Sequence, residues 1–119
     1  MKMSENILLE KSIDFAARII NLQKYLMKDK KEITISKQIA RSGTSIGANI
    51  SEANYGQSRA DFVSKLHIAL KETAETEYWI RLLTKVQMLT EQEGNSLLED
   101  CLELKRLLVS SIKTAKKED

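Results

Sequence analysis

Residues 7–28 read Ile-Leu-Leu-Glu-Lys-Ser-Ile-Asp-Phe-Ala-Ala-Arg-Ile-Ile-Asn-Leu-Gln-Lys-Tyr-Leu-Met-Lys. Leu8, Ser12, Phe15, Ile19, Leu22 and Leu26 recur at spacings of three and four, which places them on one face of a helix. A charged run, Lys28-Asp29-Lys30-Lys31-Glu32, closes this segment. Three more segments follow with the same periodicity. One spans about 36–54 and aligns Ile39, Gly43, Ile46, Ile50 and Ala53, with Thr34 or Ser36 as the expected N-cap. After the turn at Asn54-Tyr55-Gly56-Gln57, a third spans about 59–88 with Phe62, Leu66, Ala69, Thr73, Ile80 and Gln87 in a row that polar Thr76 interrupts. Ser58 and Asp61 give it a capping-box-like start. The fourth, about 91–116, opens with Thr90 and Glu93 as a capping box and aligns Leu97, Cys101, Leu104, Leu108, Ile112 and Ala115. Lys113, Lys116 and Lys117 suit its C-terminal end.

The 119 residues contain no proline and four glycines, a composition of long helices without strands. Short connections between long amphipathic helices force neighbours antiparallel. The expected fold is all-α, one domain over 1–119, an up-down-up-down four-helix bundle. A single cysteine, Cys101, leaves no internal disulfide, and the first dozen residues carry charge throughout, so neither a signal peptide nor a membrane span is expected. These features predict a soluble, cytoplasmic protein with no membrane partner.

Two segments have more apolar residues than one core row needs. On the third, Ile68, Trp79, Leu82 and Val86 lie nearly opposite the Phe62/Leu66/Ile80 row, and on the first, Leu9, Ile13 and Ile20 flank Phe15. One bundle does not bury both sets, so they are the expected surface for self-association. Isolated surface hydrophobes are the blander alternative. Gly43 and Gly47, four apart inside a helix, cost about 1 kcal/mol each against alanine, and their spacing predicts a close approach of another helix. A phosphate loop does not fit, because no lysine and hydroxyl residue come directly after the last glycine and no strand precedes the first.

Glu52, Glu72, Glu75 and Glu77 resemble the carboxylates of metal-binding bundles, which use paired Glu-x-x-His motifs. With His67 the lone histidine, two such motifs cannot form. A hydrogen bond or salt bridge from Glu77 across to helix 1 or 2 is the simpler expectation. No nucleophilic triad or acid–base pair stands out, so no enzyme activity and no cofactor are expected. A metal-binding or catalytic bundle of unknown substrate is the alternative.

The net charge is +2, from 19 basic and 17 acidic side chains, so any basic surface depends on local clustering. With alternating helices, the end of helix 1, the start of helix 2 and the end of helix 3 share one pole. It gathers Lys24, Lys28, Lys30, Lys31, Lys37, Arg41, Arg81 and Lys85 against Asp29, Glu32, Glu91 and Glu93. RNA or DNA backbone is the partner such a pole predicts, bound weakly and without sequence readout because few aromatic residues accompany it. A solvated cluster that only favours solubility is the alternative.

The stretches Arg41-Ser-Gly-Thr-Ser-Ile-Gly-Ala-Asn-Ile-Ser-Glu-Ala53, Asp61-Phe-Val-Ser-Lys-Leu-His-Ile-Ala-Leu-Lys-Glu72 and Glu77-Tyr-Trp-Ile80 resemble a known family. So do Glu10-Lys-Ser12 with Phe15-Ala16, and Ile112-Lys-Thr114. The resemblance is to four-helix-bundle proteins encoded in intervening sequences of bacterial 23S ribosomal RNA genes. It implies a bacterial or archaeal bundle that assembles as a ring-shaped homopentamer. That family is similar to the accessory protein of diversity-generating retroelements, which binds nucleic acid.

Overall fold

A computed structural model describes residues 3–117, with side chains described from Asn6 onward. Four helices, α1 (Met3–Lys28), α2 (Thr34–Asn54), α3 (Arg59–Lys85) and α4 (Glu91–Lys117), account for nearly all of it, and no strand occurs among the described residues. Each helix packs on its neighbours in the chain, and α1 closes the bundle against α4 more loosely. The pairings run in opposite senses at every interface. Ile19 and Ser12 of α1 meet Gly43 and Gly47 of α2. Arg41 and Glu52 of α2 reach Glu72 and Lys65 of α3. Thr73 and Thr84 of α3 lie against Cys101 and Gly94 of α4. Lys11 and Arg18 of α1 bond Glu103 and Asp100 of α4. The result is an antiparallel bundle measuring 48 × 21 × 19 Å.

Why the elements begin and end where they do is local chemistry. In α4, Thr90 N–H donates to Glu93 Oε1 at 2.8 Å while Glu93 N–H donates to Thr90 Oγ1 at 3.1 Å, a reciprocal capping box. In α3, Asp61 N–H donates to Ser58 Oγ at 3.1 Å. The start of α2 differs from expectation: neither Thr34 nor Ser36 caps it. Ile33 occupies the N-cap position without a side-chain cap. Glu32 Oε1 instead accepts from the N–H groups of Ile35 (2.7 Å) and Ser36 (3.0 Å), placing a carboxylate at the positive helix end.

The end of α3 also differs. It stops at Lys85, not near Met88, because Gln87 adopts φ 64. Met88 N–H donates to Leu83 O at 2.9 Å and Gln87 N–H to Thr84 O at 3.1 Å, the two bonds of a Schellman motif. Gln87 is therefore exposed and outside the core row; Leu83 and Leu89 are buried there instead.

The core consists of the predicted rows of α1, α2 and α4 with Leu66, Ala69, Ile80 and Leu83 of α3. Thr76, which interrupts the α3 row in sequence, is fully buried with its polarity satisfied. Its hydroxyl lies 2.8 Å from both Ser42 Oγ and Glu72 O. Ser12, Ser36 and Thr73 likewise donate to carbonyls one turn back. Among the described residues, no buried side-chain nitrogen or oxygen lacks a partner, the condition under which polar groups are tolerated in a core.

Candidate functional site

The candidate apolar side chains that the core does not take up lie on the outer faces of the bundle. On α1, Ile13 is 51% exposed and Ile20 42%, and Met27 extends the row at the same seven-residue spacing with 38% exposure. Leu9, on the same flank, is half-buried against the core. On α3, Ile68 and Val86 are exposed, Val86 as the C-cap residue, whereas Trp79 and Leu82 are half-buried. The row on α3 is thus partly absorbed by its own bundle, and that on α1 is the more open of the two.

Trp79 is fixed by a network that sequence spacing does not show. Arg41 of α2 spans two carboxylates of α3, Nη1 bonding Glu72 at 3.1 Å and Nη2 bonding Glu75 at 2.6 Å. The same Glu75 Oε2 accepts the indole N–H of Trp79 at 3.0 Å. Exposed Tyr78 meets Trp79 edge to face, centroids 5.0 Å apart. An arginine fork shared between two acids is a directional link, so Arg41 is a tie between helices before it is a surface charge.

Arg41 holds the Glu75 carboxyl below its ordinary value of 4.5, and the Trp79 hydrogen bond adds to the effect. A lowered folded-state value means stability present above the unfolded value and lost as pH falls through the folded one. The Glu75 side chain is 35% exposed, so screening keeps that contribution small. Emission from the chain's one tryptophan is the sensitive readout. Acidification below the ordinary value of 4.5 should alter it in the wild type, and Glu75→Gln should remove that transition. An unchanged transition in the variant would mean that another group causes it.

The remaining carboxylates are also paired. Glu52 bonds Lys65 at 3.0 Å. Glu77 bonds Lys105 of α4 at 3.3 Å and lies 3.9 Å from Arg81; its cross-bundle partner is on helix 4, not on helix 1 or 2 as the sequence suggested. Among the described residues, no three His, Cys, Asp or Glu side chains are grouped to hold a metal ion. His67 is exposed. Burial pushes the Cys101 thiol up to about 12, and its S–H faces the Thr73 carbonyl at 3.5 Å, so it is a protonated core residue.

Gly43 and Gly47 both face α1. An added Cβ at Gly43 would come within 2.8 Å of Ile19 Cγ2, and one at Gly47 within 2.8 Å of Ser12 Oγ.

The basic residues of the pole divide into two groups. Arg41 is tied to Glu72 and Glu75, Arg81 approaches Glu77, and Lys30 Nζ lies 5.8 Å from the Tyr25 ring centroid. All eight are exposed, but Lys24, Lys28, Lys31, Lys37 and Lys85 have no ion-pair partner among the described residues. Two of the four acids there are consumed by helix starts, Glu32 at α2 and Glu93 at α4. Both carboxylates sit at partial positive helix ends, where negative charge is favoured. No helix among the described residues is long and apolar enough to cross a membrane.

A family model described as 23S rRNA-intervening sequence protein matches residues 4–110. Among solved structures, a crystal structure of a protein of unknown function from the S23 ribosomal protein family of Bacteroides thetaiotaomicron is similar, with 53% sequence identity and a TM-score of 0.92. The match covers 93% of this chain and 99% of that one. A comparison with curated proteins finds no match.

Proposed function

The chain belongs to the 23S rRNA-intervening sequence protein family, and from that premise we propose that it is a non-catalytic cytoplasmic assembly protein whose copies associate and present their lysine-rich poles to a nucleic-acid backbone. The observation that carries this reading is the exposed row Ile13, Ile20 and Met27 on α1. Three large apolar side chains at heptad spacing form a stripe suited to another helix. The half-buried Trp79 and Leu82, with Ile68 and Val86, supply a second apolar edge. A ring of five copies is the number the family resemblance suggests.

Assembly gives the modest pole its effect. One subunit has little net charge, but copies brought to a common rim multiply six exposed lysines into a field that attracts phosphate. Nothing at the pole reads bases, so binding is sequence-tolerant and falls with added salt as counterions are released.

A salt series of fluorescence-anisotropy titrations with labelled single-stranded RNA tests the proposal. Affinity should drop steeply from about 50 to 200 mM salt. Lys28→Glu with Lys37→Glu should weaken it about tenfold or more while leaving the light-scattering mass unchanged. Arg41 is unsuited to this role because its reversal would break the link between α2 and α3. No binding by the wild type at low salt would remove the nucleic-acid half of the reading.

A further inference from the structure

The charges of α4 are segregated along its length. From Glu91 to Glu103 it carries Glu91, Glu93, Glu99, Asp100 and Glu103 and no base. From Leu104 to Lys117 it carries Lys105, Arg106, Lys113, Lys116 and Lys117 and no acid; Glu118 and Asp119 follow, outside the described residues. Three of the acids are engaged within the molecule: Glu93 in the capping box, Asp100 with Arg18 at 2.7 Å, and Glu103 with Lys11 at 3.4 Å. Among the described residues, the ion pair in the basic half is that of Lys105 with Glu77, and Arg59 Nη1 of α3 donates to Ala115 O at 3.0 Å. Arg106, Lys113, Lys116 and Lys117 are exposed and have no ion-pair partner among the described residues.

Helix-end electrostatics account for part of this pattern. Cations in the last turn complement the negative end of the helix, but the effect fades within that turn. Lys105 and Arg106 stand about three turns before the end, at about 3.6 residues per turn, beyond its reach. Arg106, Lys113 and Lys117 line one open groove together with the hydroxyl residues Ser110 and Thr114. The stripe from Lys105 to Lys117 is about 18 Å long at about 1.5 Å per residue. That length and openness suit an extended polyanion and not a compact anion.

The chemistry of the face also separates nucleic acid from lipid. An interfacial helix must insert an apolar face into the bilayer. The apolar face of α4, with Leu97, Leu104, Leu108 and Ile112, is buried in the bundle. No exposed large hydrophobic side chain belongs to α4. A fork from Arg106, point charges from Lys113 and Lys117, and hydroxyl donors from Ser110 and Thr114 are instead the groups that bond phosphate and sugar oxygens.

We propose that the outer face of the C-terminal half of α4 docks the phosphate backbone of a nucleic-acid strand, with Arg106, Lys113 and Lys117 as the contacting cations. The proposal rests on the nucleic-acid reading above and adds a contact on the side of the bundle, in the half away from the lysine-rich pole. No aromatic side chain lies between Leu104 and Lys117, so this face positions a strand without reading its bases.

The test compares three forms of the full chain, the wild type, Arg106→Glu with Lys113→Glu, and Lys28→Glu with Lys37→Glu. Each is titrated against labelled single-stranded RNA, duplex RNA and duplex DNA over a salt series, and against vesicles containing phosphatidylserine. Circular dichroism and light scattering verify that the variants fold and assemble as the wild type does. The α4 variant should bind nucleic acid about tenfold or more weakly at low salt. Its log–log salt slope should be shallower by about 1.4 to 1.8, the loss of two phosphate contacts. Wild-type affinity and slope in the α4 variant, beside a loss in the pole variant, would overturn the α4 face and leave the pole reading standing. Absence of wild-type binding to any of the three nucleic acids would overturn both. Wild-type binding to the anionic vesicles alone would overturn both in favour of a lipid surface.

Discussion

Gly43→Leu should destabilise the bundle by about 2–4 kcal/mol, a large fraction of the roughly 5–15 kcal/mol that holds a domain of this size together. The residue across from Gly43 is Ile19, completely buried, and an ideal Cβ would lie 2.8 Å from its Cγ2, 2.9 Å from its Cγ1 and 3.2 Å from its Cβ. A β-branched side chain in a helix has one strongly favoured rotamer, so Ile19 cannot swing aside. Either α1 moves away from α2, opening the core around Phe15 and Ile46, or both side chains adopt strained rotamers. The helix propensity recovered by replacing glycine, about 1 kcal/mol, only partly offsets that cost. Gly47→Ala is the informative control. Its closest neighbours are Ser12 Oγ at 2.8 Å and Ser12 Cβ at 3.3 Å, and turning that buried hydroxyl away gives up its 2.6 Å bond to Leu9 O, so this variant should cost about 1–2 kcal/mol, less than Gly43→Leu. Urea unfolding followed by circular dichroism at one fixed protein concentration measures both. Wild-type stability for Gly43→Leu would mean that α1 and α2 do not approach as closely as described.

Ile13→Asp combined with Ile20→Asp should lower self-association at least about 100-fold while leaving the helical signal intact. Both positions are about half exposed in the single chain, so the substitutions remove no core residue of the bundle. Completing the burial of two isoleucines on assembly is worth on the order of 1 kcal/mol each. Burying an unpaired carboxylate at each site adds a desolvation penalty of similar or larger size. A total of about 4 kcal/mol corresponds to about three powers of ten in affinity, above the 100-fold expected as a minimum, and a ring repeats the loss at every interface. Sedimentation over a concentration series measures the shift. Unchanged association would move the interface away from the α1 row.

The fold was legible because burial and periodicity agree. Leu8, Ser12, Phe15, Ile19, Leu22 and Leu26 share a face by spacing alone, and all six are buried. The Thr90–Glu93 box is equally readable because its partners stand three residues apart. What escaped depends on contacts between distant parts of the chain, or on backbone conformations that residue identity does not announce. Glu32 reaches forward to cap α2 from outside the hydroxyl positions that usually signal a cap. Gln87 takes a left-handed conformation that glycine would normally mark. Thr76 looks like a break in an apolar row until Ser42 of α2 is seen 2.8 Å away.

The surfaces were less legible for the same reason. Arg41 reads as one more pole cation, but its two acceptors stand 31 and 34 residues later. The lysines at the end of α4 fit a helix C-terminus. Their continuity with Lys105 and Arg106 matters only once the bundle shows that face to be outward and almost free of acid partners. Met27 completes the α1 row only when its exposure is known, since its spacing is equally consistent with a residue at the edge of the core.

Light scattering on the wild type and the Ile13→Asp, Ile20→Asp variant at the same micromolar concentration tests self-assembly most directly. The wild type should have a mass several times the 13.6 kDa of one chain, with the variant falling toward the mass of a single helical subunit. A wild-type mass of 13.6 kDa at that concentration would contradict self-assembly.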